Sequence, residues 1–205
     1  MTKDELENVL LTKSREAVDA DYTASALELN KWLVRLFPEN PRYKVRYADK
    51  LREVGRFEDA KAALLSLVDV PFEMMAYYEI SVGLLYQETG NNREAEEHFK
   101  RATELRSNDT GPWILYGAVL IGQGKFEAAQ SAYERALQCE GDVDEAHLNL
   151  GNLFRAMGKY ESALEQYRLA AAICPDDADI QRALGDVETM MKTERLLAPI
   201  LEEFI

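Results

Sequence analysis

The stretch "NLGNLFRAMGKYESALEQY", residues 149–167, sets small and aromatic residues at fixed distances from one another. Its spacing is carried by Gly151, Gly158, Tyr160, Ala163 and Tyr167. A shift of 34 residues toward the N-terminus places the same pattern on Gly117, Gly124, Phe126, Ala129 and Tyr133. Two earlier copies follow, on Gly83, Gly90, Asn92, Ala95 and Phe99, and on Ala48, Gly55, Phe57, Ala60 and Leu64. Four copies in register predict a repeat protein.

Each copy has the pattern of two antiparallel helices joined by a tight turn. Small residues such as Gly151 and Ala163 allow two helix backbones to approach closely, and Tyr167 fills the remaining space. Gly158 falls where the first helix must end in a backbone with positive φ. Because one such hairpin cannot bury its own apolar face, copies must stack around a continuous core.

Residues 144–177 resemble the tetratricopeptide repeat (TPR) family. The matching positions are Gly151, Phe154, Gly158, Tyr160, Ala163, Tyr167, Ala170 and Pro175, while His147 replaces a tryptophan. The resemblance implies an all-α fold, namely a right-handed superhelical solenoid of antiparallel helix pairs. It implies about five repeats followed by a C-terminal capping region.

The repeat frame divides the chain into units within a single solenoid domain, residues 1–205. Complete repeats are predicted at 41–75, 76–109, 110–143 and 144–177. Residues 7–40 form a degenerate repeat, since Lys13 and Asn30 stand where the family has apolar residues. Residues 178–205 are predicted to form C-terminal capping helices.

The C-terminal stretch 193–205 has the pattern of an amphipathic helix. Its apolar residues are Leu196, Leu197, Ile200, Leu201, Phe204 and Ile205. A solenoid needs an element that covers its last open core face, so capping is the first interpretation. The alternative is a self-assembling module and homo-oligomer in which this apolar helix occupies its own or a neighbour's groove.

The overall charge of the chain restricts its partners. Its 205 residues carry a formal net charge of -13. Such a charge disfavours binding to nucleic acid or to an anionic membrane surface. The N-terminus is acidic, and no stretch is apolar for long enough to insert into a membrane, so we expect a cytoplasmic protein.

Residues suited to catalysis are few and scattered. His98 and His147 have no acidic or cysteine partner at ligand spacing along the sequence, and a lone imidazole is weak support for a site. The glycine-rich stretch 117–125 lacks the Lys-Ser/Thr ending of a phosphate-binding loop. We therefore expect no catalytic activity, no bound metal and no cofactor.

The TPR resemblance implies binding of a protein or peptide partner in a concave groove formed by the first helices. The groove positions correspond here to Arg15, Arg42, Val45, Arg46, Asp49, Arg52, Tyr77, Ile80, Leu84, Ile114, Ala118, Ile121, Leu148, Asn149, Asn152 and Arg155. Arginines gather toward the N-terminal end, and the middle is apolar. The sequence thus predicts a non-enzymatic adaptor or scaffold, although the arginines also fit an ordinary solvated helix face.

Some members of the family hold a C-terminal carboxylate with a clamp of lysine, asparagine and arginine at set positions of three consecutive repeats. No three consecutive repeats of this chain supply that set. The sequence therefore disfavours a peptide held by that clamp.

Overall fold

The computed structural model of the chain describes residues 2–20 and 22–202. These residues form helices α1 (Lys3–Asp19), α2 (Thr23–Leu36), α3 (Pro41–Glu53), α4 (Phe57–Leu65), α5 (Phe72–Glu88), α6 (Asn92–Leu105), α7 (Thr110–Gly122), α8 (Phe126–Ala136), α9 (Val143–Ala156), α10 (Tyr160–Ile173) and α11 (Ala178–Glu202). Among the described residues no β-strand is formed, and the only bridge is an isolated one between Asp109 and Glu140. The predicted all-α helical repeat solenoid is confirmed.

The helices pair as consecutive hairpins within two compact units, Met1–Leu105 and Arg106–Ile205. In the first unit α1 packs on α2, α3 on α4 and α5 on α6, and α3 also contacts α2 and α5. In the second unit α7 packs on α8 and α9 on α10, while α9 also contacts α7 and α8. Each hairpin thus buries its apolar face against its neighbours, as the repeat pattern requires.

Glycines end the first helix of each complete repeat. Gly55, Gly90, Gly124 and Gly158 have φ of 75°, 79°, 73° and 73°. After α9, the Gly158 N–H donates to the Arg155 carbonyl and the Lys159 N–H to the Phe154 carbonyl, so two helix-end acceptors are satisfied. The predicted positive φ at Gly158 is confirmed.

A glycine on each of three first helices lies directly against a ring of the following helix. A Cβ added at Gly83 would stand 2.6 Å from the Phe99 ring, and one added at Gly151 would stand 2.5 Å from the Tyr167 ring. The same arrangement joins Gly117 to Tyr133 at 2.6 Å. The three rings are almost fully buried. They can be buried because the glycines have no side chain and leave room for them, and this burial removes the apolar surface of the rings from water.

The degenerate first repeat replaces the glycine–ring contact with a hydrogen bond. Ser14 and Asn30 occupy the two corresponding positions and are fully buried. Asn30 Nδ2 donates to Ser14 Oγ over 2.9 Å and to the Ala26 carbonyl over 2.8 Å. Lys13, by contrast, is exposed and pairs with Glu16. The buried Nδ2 of Asn30 is therefore satisfied, whereas its Oδ1 is buried without a hydrogen-bond partner among the described residues.

The C-terminal region differs from the predicted set of capping helices. Residues 178–202 form one continuous helix, α11, which passes Pro199. Lys192 stands where each complete repeat has its turn glycine, so the chain has no residue that readily adopts the left-handed turn there. The side chains of Ile200 and Leu201, and residues Phe204 and Ile205, lie outside the described part of the chain.

We predict that Gly151→Ala destabilises the protein, because the new methyl group overlaps the Tyr167 ring. Overpacking of this kind costs about 1–3 kcal/mol, which exceeds the gain of about 1 kcal/mol that Ala brings to a helix interior. Gly185→Ala in α11 is the matched control, since nothing lies within 4 Å of its new Cβ. It should stabilise the protein. Urea unfolding followed by circular dichroism measures both changes, and equal midpoints for the two variants would contradict the packing argument.

Candidate functional site

A pocket of about 180 Å³ lies between α3 and α5 in the first unit. It is lined by Arg46, Asp49, Lys50, Arg52, Glu53, Tyr77, Ile80, Ser81 and Leu84. Six of these residues, Arg46, Asp49, Arg52, Tyr77, Ile80 and Leu84, are residues that the sequence predicted for the groove. The repeat frame brings them together because α3 and α5 are first helices of consecutive hairpins.

The two helices that carry the pocket are fixed locally by their own ends. α3 begins with Pro41 at its first turn, and Asn40 Oδ1 accepts a hydrogen bond from the Arg42 N–H over 3.1 Å. α5 begins after Pro71 and is long, at 17 residues. The close fit of Gly83 to Phe99 fixes the distance between α5 and α6. The pocket side chains therefore stand on rigid elements.

Asp49 is the polar centre of the pocket. The Tyr77 hydroxyl donates to Asp49 Oδ2 over 2.6 Å. Burial raises the pKa of the Asp49 carboxyl above its ordinary value of 3.8, although hydrogen bonds from Tyr77 and Ser81 and the charge of Arg52 oppose this rise. Burial, with the adjacent Asp49 charge, also raises the pKa of the Tyr77 hydroxyl. Tyr77 thus remains a neutral donor.

The arginines of the pocket differ in how far they are already paired. Arg52 forms an ion pair with Glu88, and its Nε is buried with no hydrogen-bond partner among the described residues. Arg46 is partly buried, and the hydrogen bond from its Nη2 to Ser14 Oγ is long, at 3.5 Å. Arg46 therefore retains most of its hydrogen-bonding capacity for a ligand.

The structure places the remaining first-unit candidates outside the pocket. Arg15 and Arg42 are exposed on α1 and α3. Val45 is fully buried in the core with Ala48 and Leu51, so its assignment to the groove is corrected. The first helix of a hairpin contacts both the second helix of that hairpin and the neighbouring hairpin. Position 45 of α3 lies on the side that makes these contacts and not on the side that faces solvent.

The second unit carries its seven groove candidates on α7 and α9, which pack against each other. Ile114 is 6% exposed and belongs to the core, so its assignment is also corrected. Ala118, Ile121, Leu148, Asn149, Asn152 and Arg155 are partly buried.

Several of these second-unit side chains already have partners within the unit. Asn152 Oδ1 accepts from the Tyr167 hydroxyl over 2.8 Å, and Asn149 Nδ2 donates to the Glu145 carbonyl over 2.9 Å. Arg155 lies 3.8 Å from Asp186. These polar groups are therefore less available to a ligand than Arg46 is.

Some contacts were not predicted from the sequence. Lys50 and Glu53 line the pocket and pair with each other at 2.7 Å. Glu88 pairs with Arg52, which lies 36 residues earlier in the chain. This separation is close to one repeat length, and it is the one feature of the sequence that points to the pair.

His98 has no acidic partner at ligand spacing along the sequence, but the fold brings Glu79, 19 residues away, next to it. His98 Nδ1 lies 2.6 Å from Glu79 Oε2, across the α5–α6 hairpin, and its ring stacks on Tyr86. This pair belongs to the packing of that hairpin, and Glu79 is buried. Within residues 2–20 and 22–202 there is no group of three or more His, Cys, Asp or Glu side chains that could hold a metal ion. None of the described helices is both long and apolar enough to cross a bilayer.

The raised pKa of Asp49 gives a pH prediction. The folded protein holds the Asp49 proton more tightly than the unfolded chain, so this group's contribution to stability is full below pH 3.8 and is lost as the pH rises through the folded-state pKa. In Asp49→Asn the side chain cannot ionise, so the protein does not lose this stability as the pH rises. The Asn side-chain oxygen can still accept the hydrogen bond from Tyr77.

We expect the stability of Asp49→Asn, relative to the natural chain, to increase between about pH 3.5 and about pH 7. Urea unfolding at each pH measures it. Glu58→Gln, which replaces an exposed carboxyl of α4, controls for the loss of one charge. A stability difference for Asp49→Asn that does not change with pH would contradict the assignment.

The chain was compared with curated proteins. It is 25% identical over 115 residues to anaphase-promoting complex subunit 3 of Schizosaccharomyces pombe, covering 56% of this chain and 17% of that protein. It is 28% identical over 171 residues to the human protein O-mannosyl-transferase TMTC1, covering 82% of this chain and 19% of that protein. The chain thus spans less than a fifth of the length of these relatives.

Solved structures share the fold. A thermophilic TPR protein of Thermus thermophilus superposes with a TM-score of 0.71 at 19% identity, covering 89% of this chain and 99% of that one. The APC/C hetero-tetramer Cut9–Hcn1 gives a TM-score of 0.70 at 16% identity, covering 90% of this chain and 40% of that one.

Family models match the chain directly. A tetratricopeptide repeat model matches residues 75–109 and 111–140, and a TPR repeat model matches residues 151–188. Together these matches cover half of the chain, and they fall on the hairpins described above. The chain belongs to the tetratricopeptide repeat family.

Proposed function

We propose that the first unit binds an extended or helical peptide segment of a partner protein in the pocket between α3 and α5. TPR proteins generally mediate protein–protein interactions and scaffold complexes. The observation that carries the proposal is the convergence of Arg46, Tyr77, Ile80 and Leu84 on one open pocket.

The apolar side of the pocket supplies the binding energy. Tyr77 is 39% exposed, and Ile80 and Leu84 are partly exposed beside it. Each large apolar side chain that a partner buries contributes about 1.5–3 kcal/mol before the cost of ordering the peptide. Because Tyr77, Ile80 and Leu84 are already partly covered, each contributes only part of that amount, and the ionic contact with Arg46 adds to it.

The charged side of the pocket selects an acidic group on the peptide. α3 carries five basic residues, Arg42, Lys44, Arg46, Lys50 and Arg52, in a chain whose net charge is -13. Lys50 and Arg52 are already paired with Glu53 and Glu88, and Asp49 accepts a hydrogen bond from Tyr77. Arg46 can form a forked pair of hydrogen bonds with a carboxylate, which favours a carboxylate-bearing peptide over a neutral one.

The relatives favour a scaffold over an enzyme. One is named as a subunit of the anaphase-promoting complex, and the Cut9–Hcn1 structure is a protein complex. TMTC1 is named as a transferase, but this chain spans only 19% of it. We propose that the chain itself acts by binding and not by catalysis.

The test is a peptide-display selection against the intact chain, followed by affinity measurements on the enriched peptides by fluorescence polarisation. We expect apolar peptides with an acidic residue or a free carboxylate. Ile80→Asp should weaken them by roughly tenfold or more, because a buried apolar contact is lost.

Arg46→Gln isolates the ionic contact. It should weaken binding of the acidic peptides by roughly tenfold and leave their amide analogues unchanged, because only the charged peptides pair with the guanidinium. Arg93→Glu, on the exposed face of α6 and outside the pocket, is the control and should bind as the natural chain does. Circular dichroism checks that each variant is folded. The proposal fails if no peptide is enriched, or if the enriched peptides bind Ile80→Asp and Arg46→Gln with unchanged affinity.

A further inference from the structure

The second unit leaves one helix face uncovered by the described residues. α11 packs on α10 and α9, as α9 packs on α8 and α7, so α11 takes the place of the first helix of a further hairpin. In the hairpins before it, the glycine at the corresponding position meets a ring of the second helix. Gly185 of α11 meets nothing within 4 Å. No described residue packs where that second helix would lie.

A groove of about 500 Å³ runs along this face, between α10 and α11. A second groove of about 420 Å³ adjoins it along α10. The residues that line the two are Glu161, Leu164, Glu165, Arg168, Leu169, Glu188, Met191, Lys192, Arg195 and Leu196. We call this surface the α10–α11 groove.

Apolar side chains at and beside the α10–α11 groove are strongly exposed. Of the lining residues, Leu196 is 65% exposed and Leu169 43%, and Leu197 and Met190, which lie on α11 but do not line the groove, are 46% and 42% exposed. Four large apolar side chains this accessible on adjoining helices are typical of a surface that another molecule covers.

The charges of the groove indicate what that molecule is. Its lining holds three acidic residues, Glu161, Glu165 and Glu188, and three basic residues, Arg168, Lys192 and Arg195. The groove is therefore neutral, whereas the chain as a whole carries -13 and two copies repel each other elsewhere. Among the described residues Arg168 pairs with Glu188 at 3.4 Å, but Lys192 and Arg195 form no ion pair.

We propose that a second copy of this chain docks on the α10–α11 groove through its own α11, about a two-fold axis. In this arrangement each α11 lies where the second helix of a further hairpin would lie in the other copy. Leu196 of one copy covers the open Gly185 face of the other. Lys192 and Arg195 of each copy face the acidic residues Glu161 and Glu165 of the other.

A two-fold interface uses the same surface on both copies, so it must be self-complementary. The α10–α11 groove meets that condition because it carries both signs of charge in equal number beside apolar residues. An acidic or a basic partner would meet equal numbers of opposite and like charges there, which disfavours both. The proposal involves residues other than those of the α3–α5 pocket, so each can fail without the other.

The experiment is a charge exchange on the full chain, followed by sedimentation equilibrium from about 1 to about 500 μM, a range that covers dimers of moderate affinity. The natural chain should rise from its monomer mass of 23.3 kDa toward twice that mass. Lys192→Glu with Arg195→Glu should raise the dissociation constant by roughly tenfold or more, because like charges then face each other. Glu161→Lys with Glu165→Lys should do the same for the same reason.

An equimolar mixture of these two double variants should dimerise as the natural chain does, because both facing sets are then opposite in charge. Arg93→Glu with Lys100→Glu on α6 repeats the charge change of the first double variant in the other compact unit, and it should leave association unchanged. Leu196→Asp tests the apolar contact at an exposed position and should also weaken the dimer.

Circular dichroism confirms the helical content of each variant before sedimentation. The proposal is overturned if the natural chain stays monomeric throughout the concentration range. It is also overturned if either charge-reversed double variant dimerises as strongly as the natural chain, or if an equimolar mixture of the two does not dimerise.

Discussion

The close contact between a glycine on one helix and a buried ring on the next is the constraint on which this structure depends. At Gly83, Gly117 and Gly151 no side chain larger than hydrogen fits against the opposing ring. The contact fixes how near the two helices of a hairpin lie, and hence which side chains remain on the outer face of the first helix. Of the two helices that form the α3–α5 pocket, α5 makes this contact through Gly83 and Phe99, whereas α3 has Ala48 at the corresponding position. On α11 the corresponding glycine, Gly185, has no ring against it, and the helix face around it is not covered by any described residue.

Two surfaces with different chemistry follow from this arrangement. The α3–α5 pocket combines exposed apolar side chains with an arginine that retains hydrogen-bonding capacity, and this combination suits an acidic peptide. The α10–α11 groove is apolar and electrically neutral, which suits a second copy of the chain. They lie in different compact units, so the proposed peptide site and the proposed self-association surface share no residue.

The repeat frame made most of the fold predictable from the sequence. Glycine and aromatic spacings identify the helix pairs and the turn glycines, because every repeat solves the same packing problem. Six of the pocket residues were predicted from the groove positions that the TPR resemblance implies. Val45 and Ile114 were assigned to the groove because the frame gives a residue's position on its helix and not how deeply the neighbouring hairpin covers it. The contact of His98 with Glu79 depends on side-chain reach between helices, which no spacing encodes. The uninterrupted α11 could be anticipated only from Lys192 in the place of a turn glycine.

The most direct test of the central claim is to map the binding site of a display-selected acidic peptide by nuclear magnetic resonance. Backbone amide shifts of the isotopically labelled full chain would be followed as the peptide is added. We predict that the largest changes fall on α3 and α5, around Arg46, Tyr77 and Ile80. Changes centred on α10 and α11, or spread evenly over the chain, would contradict a peptide site formed by the first helices of the first unit.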